Sequence, residues 1–212
     1  MQLAELRENY TRGSLRKSDI GDNPLALFDN WLDEVIATDM PDANAMTLAT
    51  VDESGQPSQR IVLLKGRPED KFVFYTNYAS NKAKDIAKNQ RVSLHFPWYL
   101  MERQVMVSGV ATQLSDQEND SYFAQRPKNS QLGAYVSAQS QPVDSRDTLV
   151  AHFESCLDEF ADKAVPRPNW GGYAVTPLTI EFWQGGQHRL HDRLRFTRND
   201  SQSPWSVVRL QP

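Results

Sequence analysis

Residues 180–196, Ile-Glu-Phe-Trp-Gln-Gly-Gly-Gln-His-Arg-Leu-His-Asp-Arg-Leu-Arg-Phe, constrain the chain more than any other stretch. Phe182 and Trp183 favour a pleated surface, and Gly185-Gly186 offers the positive φ of a tight turn, so two extended runs joined as a hairpin are predicted. Alternation along an extended chain puts Arg189, His191 and Arg193 on one face and Leu190, Asp192 and Leu194 on the other. Two guanidiniums and an imidazole side by side repel unless an anion or a carboxylate lies between them. An anionic ligand is the expected resolution, set against the plainer role of arginines on a solvated strand edge.

Upstream, the same period-2 pattern recurs. Strands are predicted over Ala45–Val51, Ser58–Lys65, Phe72–Asn77, Arg91–Trp98 and from Glu102 to Ala111, joined by short connectors rich in glycine and proline. Such a succession argues for an antiparallel barrel, and no glycine-rich dinucleotide loop is present. Helices interrupt it. Asn23-Pro24 starts one whose stripe is Leu27, Phe28, Trp31, Leu32, Val35 and Ile36. Ser115-Asp116-Gln117-Glu118 is a capping box for another, which Pro127 closes. A third, from about Ser145 to Lys163, carries Leu149, Phe153, Leu157 and Phe160 at core spacing. Residues 1–20 are polar and predict a short helix and a mobile arm, leaving residues 21–212 as one domain.

Several cations fall where they can meet anions. Arg60 and Lys65 flank an apolar run and, five positions apart on an extended chain, face opposite sides. Lys82 stands in the first turn of a helix capped by Ser80, where free N–H groups favour a phosphate. Tyr122 and Arg126 lie one turn apart, with Ser130 close behind, a set able to grip a phosphate by charge-assisted bonds. Each group also has an ordinary reading as solvated or packed surface.

Composition narrows the function. Lysine and arginine total 23 against 27 acids, a formal charge of −4, which argues against a general nucleic-acid binder. No apolar run approaches the ~20 residues of a membrane span, and the N-terminal residues lack a secretory core, so a cytoplasmic protein is expected. Cys156 is the single cysteine and reads as inert core, and the four histidines show no metal-ligand spacing, so no metal is expected.

The motif Trp183-Gln184-Gly185-Gly186 followed by His188-Arg189-Leu190-His191-Asp192-Arg193 closely resembles the C-terminal signature of the pyridoxine (pyridoxamine) 5'-phosphate oxidases, and the likeness runs from Arg7 to Arg209-Leu210. It implies an α+β, mainly β, FMN-binding split β-barrel with flanking helices, working as a homodimer with its FMN sites between subunits. It implies oxidation of pyridoxine 5'-phosphate and pyridoxamine 5'-phosphate to pyridoxal 5'-phosphate, with O2 as acceptor, giving H2O2 and, from the amine, NH3. It assigns Arg60, Ile61, Val62, Leu63, Leu64, Lys65, Tyr75, Thr76, Lys82, Gln104, Gln139, Ser140, Trp183 and Arg193 to FMN. Arg7, Tyr10, Lys65, Tyr122, Arg126, Ser130, Arg189 and His191 fall to the substrate, the last two at the reacting carbon. Asn81 departs from the family's usual arginine and removes one charge beside the flavin phosphate. A related flavin reductase and a non-catalytic module binding FMN or pyridoxal phosphate are the alternatives.

Overall fold

The computed structural model describes residues 9–212, with thirteen regular helices and strands besides short 3-10 turns. In chain order they are α1 (Pro24–Ile36), β1 (Ala45–Val51), β2 (Pro57–Leu63), β3 (Phe72–Asn77), α2 (Asn81–Lys88), β4 (Arg91–Trp98), β5 (Arg103–Gln113), α3 (Asp116–Gln125), α4 (Lys128–Val136), α5 (Arg146–Glu159), β6 (Trp170–Gln184), β7 (Asp192–Thr197) and β8 (Ser206–Leu210).

All strand pairs are antiparallel, in the order β2-β1-β4-β5-β6-β7-β8, and β3 pairs with β6. A bridge between Gly66 and Val73 joins the end of β2 to β3 and closes the ring β1-β2-β3-β6-β5-β4. Beyond that ring, β7 and β8 extend from β6 as a flap. This is a split barrel with helices around it. Closure protects most strand edges from pairing with other chains.

The barrel interior is filled by alternate residues of each strand, including Leu48, Leu94, Phe96, Val105, Val107, Ile180 and Phe182, all fully buried. Helix α1 plugs one side of it. Asn23 caps the helix by accepting from the Leu25 N–H, and Pro24 opens it. The Phe28 ring meets those of Phe72 and Phe96 edge-on, each at 4.9 Å between centroids. A second core gathers Phe123, Leu132, Cys156, Phe160, Val165 and Trp170 beneath α3, α4 and α5. Cys156 is packed in it.

Several expectations need correction. Ile36 does not belong to the buried stripe; it is 54% exposed in the last turn of α1. Strand β2 runs from Pro57 to Leu63, ending two residues earlier than the pattern predicted. Helix α5 ends at Glu159, and Leu149 and Leu157 lie exposed while Cys156 supplies its buried contact. The N-terminal segment is tied to the body over its described part. Glu102 accepts from the Thr11 and Arg12 N–H groups, Asp192 accepts from that of Leu15, and the Leu15 side chain is buried.

Candidate active site

A cleft of about 410 Å³ opens between β2, β3, the start of α2 and the α3–α4 junction. Arg60, Ile61, Val62, Leu63, Lys65, Tyr75, Thr76, Lys82, Tyr122, Arg126, Gln139 and Trp170 line it. Arg60 and Lys65 therefore line one cleft and do not face opposite sides. Residues five apart face opposite sides only along an unbroken strand, and β2 stops at Leu63 before Lys65 is reached. Beyond the strand, the Lys65 N–H donates to the Val73 carbonyl, which steers the chain toward β3.

One wall of the cleft is aromatic. Tyr122 stacks on Tyr75 with centroids 3.8 Å apart and planes 5° from parallel, and Tyr75 stacks in turn on Trp170 at 5.1 Å. The Arg126 guanidinium lies 4.4 Å over the Trp170 ring, held by its π face. Burial, followed by the neighbouring Tyr122, pushes the Tyr75 phenol up to about 12, so it stays protonated at neutral pH. Trp170 is a site residue that the sequence does not single out. Its place at the head of β6, just before Gly171-Gly172, gave no sign that it underlies an arginine.

Four cations share this cleft: Arg60, Lys65, Lys82 and Arg126. Lys82 is only 9% exposed. Its Nζ donates to Gln139 Oε1 at 3.1 Å and reaches Ser80 Oγ at 3.4 Å. Burial, then the Arg60 charge, holds its pKa below that of an ordinary lysine, with Asp85 opposing. Burial likewise lowers Arg60 and Arg126. Arg126 Nη1 is buried and has no hydrogen-bond partner among the described residues. A buried guanidinium donor without a partner costs free energy unless a ligand supplies the acceptor.

The second group of expected residues gathers around the β6–β7 connection. Here the extended reading fails. Gln187–Arg189 forms a 3-10 turn, with His188 at φ 55° and Arg189 at φ 61°, and β7 begins only at Asp192. Arg189 is thus an exposed turn residue, not a strand neighbour of His191 and Arg193. The positive φ falls on His188 and Arg189, while Gly186 is extended at φ −133°. The glycines are needed for space. A Cβ on Gly185 would meet Tyr10 Cγ at 2.7 Å, and one on Gly186 would strike the Leu190 carbonyl.

Tyr10 packs edge-on against Trp183 at 5.6 Å and against His191 at 5.5 Å, and the Trp183 and His191 rings are 4.7 Å apart. His191 Nδ1 accepts from the Gly186 N–H at 3.2 Å, which leaves the ring proton on Nε2. Burial, then the Arg189 charge, lowers its pKa from 6.5, so the neutral ring prevails at pH 7. A neighbouring cavity of about 200 Å³ is lined by Tyr10, His95, Gln104 and Trp183, among others, and shares no residue with the cationic cleft. Gln104 Oε1 accepts from His95 Nε2 at 3.1 Å.

The repulsion among the strand arginines is resolved by a carboxylate. Glu181, 3% exposed, takes Arg193 Nε and Nη2 on Oε1 at 2.9 and 2.7 Å, and Arg195 Nε and Nη2 on Oε2 at 3.0 and 2.9 Å. Sequence reasoning missed this residue, although the hairpin register that pairs Glu181 with Arg195 was its signal. Other expected residues sit elsewhere. Leu64 points into the barrel core, and its N–H and carbonyl are taken by Asn44. Ser130, in the first turn of α4, is exposed and outside the cleft lining. Ser140, at φ 71°, accepts through Oγ from the Asn81 N–H. Arg7 lies outside the described residues.

Fold and cleft together define a split-barrel protein whose barrel edge carries a cationic, aromatic-walled cleft. A family model described as pyridoxamine 5'-phosphate oxidase matches residues 32–158, and one described as the pyridoxine 5'-phosphate oxidase C-terminal dimerisation region matches residues 170–212. The chain belongs to the pyridoxamine 5'-phosphate oxidase family. It is 51% identical over 213 residues to the pyridoxine/pyridoxamine 5'-phosphate oxidase of Alteromonas mediterranea, with 100% of both chains covered. It is 50% identical to that of Pseudoalteromonas atlantica, with 99% of both covered. Among solved structures, PhzG from Burkholderia lata, determined with tetrahydrophenazine-1-carboxylic acid, superposes with a TM-score of 0.87 at 28% identity, covering 93% of this chain and 98% of that one.

Proposed function

We propose that the protein is an FMN-dependent oxidase that converts pyridoxine 5'-phosphate and pyridoxamine 5'-phosphate to pyridoxal 5'-phosphate, acting as a homodimer. The observation that carries this reading is a cleft whose lining gathers four cations, Arg60, Lys65, Lys82 and Arg126, and no carboxylate. A cofactor and a substrate that each bring a phosphate dianion suit that donor set.

Arg60 and Lys82, with Thr76, Gln139 and the backbone of residues 61–63, would hold the FMN phosphate and chain. Lys65, Tyr122 and Arg126 would hold the vitamer phosphate, with Ser130 at the rim. FMN, when bound, supplies the two-electron acceptor, and O2 takes those electrons to give H2O2. Arg189 and His191 would hold the polar edge of the vitamer at its reacting carbon. With its proton on Nε2, His191 offers a donor that orients the ring, while its Nδ1 lone pair is spent on Gly186. Tyr10, packed on both Trp183 and His191, would cover the ligand and exclude water.

The cavity beside Trp183 and the cationic cleft have separate linings. In a homodimer, the turn of one subunit would complete the cleft of the other. Anaerobic mixing with pyridoxine 5'-phosphate tests the reading: the oxidase bleaches its yellow flavin at once. Bleaching by NADPH alone would make it a reductase, and no bleaching by either would make it a carrier.

A further inference from the structure

Arg60 is the most elaborately held cation in the cleft. Its Nη1 donates to Thr50 Oγ1 at 2.7 Å and to the Leu48 carbonyl at 3.3 Å, and its Nη2 donates to Ser58 Oγ at 2.6 Å. Both hydroxyls then converge on one oxygen. Thr50 donates to Asp85 Oδ2 at 2.6 Å and Ser58 reaches the same atom at 3.3 Å. Asp85 itself lies 3.9 Å from Arg60 Nη2, beyond hydrogen-bond length.

A hydroxyl has one proton. Once that proton is given to a carboxylate, which can only accept, the oxygen lone pairs are left to face the guanidinium. Asp85 on α2 therefore sets the direction of two hydroxyls on β1 and β2, and these fix the plane of Arg60. Thr50 is fully buried, and the Asp85 side chain is 13% exposed, so water competes little for these bonds. We propose that Asp85 is a positioning residue for the FMN phosphate: acting through Thr50 and Ser58, it holds the Arg60 guanidinium in the orientation that receives the phosphate. The inference rests on the assignment of the cleft to FMN.

Charge alone predicts the opposite effect. A carboxylate beside Arg60 and Lys82 repels a dianion, so its removal would tighten binding if Asp85 did nothing else. The sign of the change thus separates the two roles. Apoprotein of wild type, Asp85→Ala, Asp85→Asn and Ser58→Ala is titrated with FMN and, separately, with riboflavin, which lacks the phosphate, following the quenching of flavin fluorescence.

Asp85→Ala should weaken FMN about tenfold, the effect of loosening a hydrogen bond to a charged group, and leave riboflavin unchanged. Asp85→Asn keeps an acceptor oxygen for the hydroxyls without the charge and should bind FMN at least as tightly as wild type. Ser58→Ala, on the partly exposed β2, should weaken FMN severalfold and not riboflavin. The proposal is overturned if Asp85→Ala binds FMN as tightly as wild type, if it loses FMN and riboflavin in parallel, or if Asp85→Asn is as weak as Asp85→Ala. Should Asp85→Ala fail to fold, unchanged discrimination between FMN and riboflavin in Ser58→Ala overturns it. A wild type that does not prefer FMN to riboflavin sinks the assignment of the cleft instead.

Discussion

Among the described residues no carboxylate pairs with the buried Lys82, and its ammonium is held by a carboxamide and a hydroxyl. Its pKa is lowered from 10.5, chiefly by burial and then by Arg60, and the consequence for stability follows from proton counting. Between the lowered folded value and 10.5 the unfolded chain binds more protons than the folded one, so this group makes the apoprotein more stable as pH rises across that window. Below the window Lys82 is charged in both states, and the fold carries the cost of a buried ammonium. Phosphate binding runs the other way, because only the charged lysine attracts the dianion. FMN affinity should therefore fall as pH rises toward 10.5, beginning below the range where an ordinary lysine titrates. In Lys82→Met the affinity should be lower at neutral pH and nearly flat over the same range. Fluorescence titration at each pH checks this, and parallel curves for the two proteins would remove Lys82 from the phosphate site.

At the scale of elements, the β6–β7 connection stores conformational strain where the chemistry is proposed. Arg189 sits at φ 61°, a left-handed conformation that costs an L-residue with a Cβ about 1–2 kcal/mol. Arg189→Ala and Arg189→Gly both remove the guanidinium and should both abolish most turnover. They should differ in stability, with the glycine variant higher by about 1 kcal/mol, because glycine adopts this φ freely. Urea denaturation of the two variants measures that difference, and equal midpoints would show that the turn is not held left-handed in solution.

The same connection marks the limit of what was legible. Strands β1, β3 and β4 were readable to the residue, since β1 and β4 alternate buried and more exposed side chains and β3 is a short run rich in aromatic and β-branched residues, each set between turn-forming residues. The capping box of α3 was equally plain, with Ser115 and Glu118 bonding reciprocally. Alternation carried past Gly186 misplaced Arg189, because period-2 reasoning holds only while the backbone stays extended. Asp85 and Trp170, which hold functional cations, were illegible for another reason: their partners are distant in sequence. Neither Asp85 with Thr50 nor Trp170 with Arg126 can be paired before the docking of the helices on the sheet is known.

For the whole molecule, the question is which chain completes which site. Arg126 lies in the cationic cleft and Arg189 on the β6–β7 turn, and the cavity beside that turn shares no lining residue with the cleft. If one catalytic centre takes its cleft from one subunit and its turn from the other, two inactive variants can repair each other. An Arg126→Ala homodimer has two sites with defective clefts, and an Arg189→Ala homodimer has two with defective turns. A mixed dimer pairs the intact cleft of one chain with the intact turn of the other, giving one wild-type site and one site defective in both. Refolding equal amounts together should place about half the subunits' dimers in the mixed form, with one working site in each, and so recover about one quarter of wild-type turnover under two-fold symmetry. Were cleft and turn drawn from the same chain, every site in the mixture would carry one lesion and no activity would return. Recovery that appears only after co-refolding, and not on simple mixing of the native dimers, would show in addition that subunits exchange slowly, as expected of an interface that buries the active site.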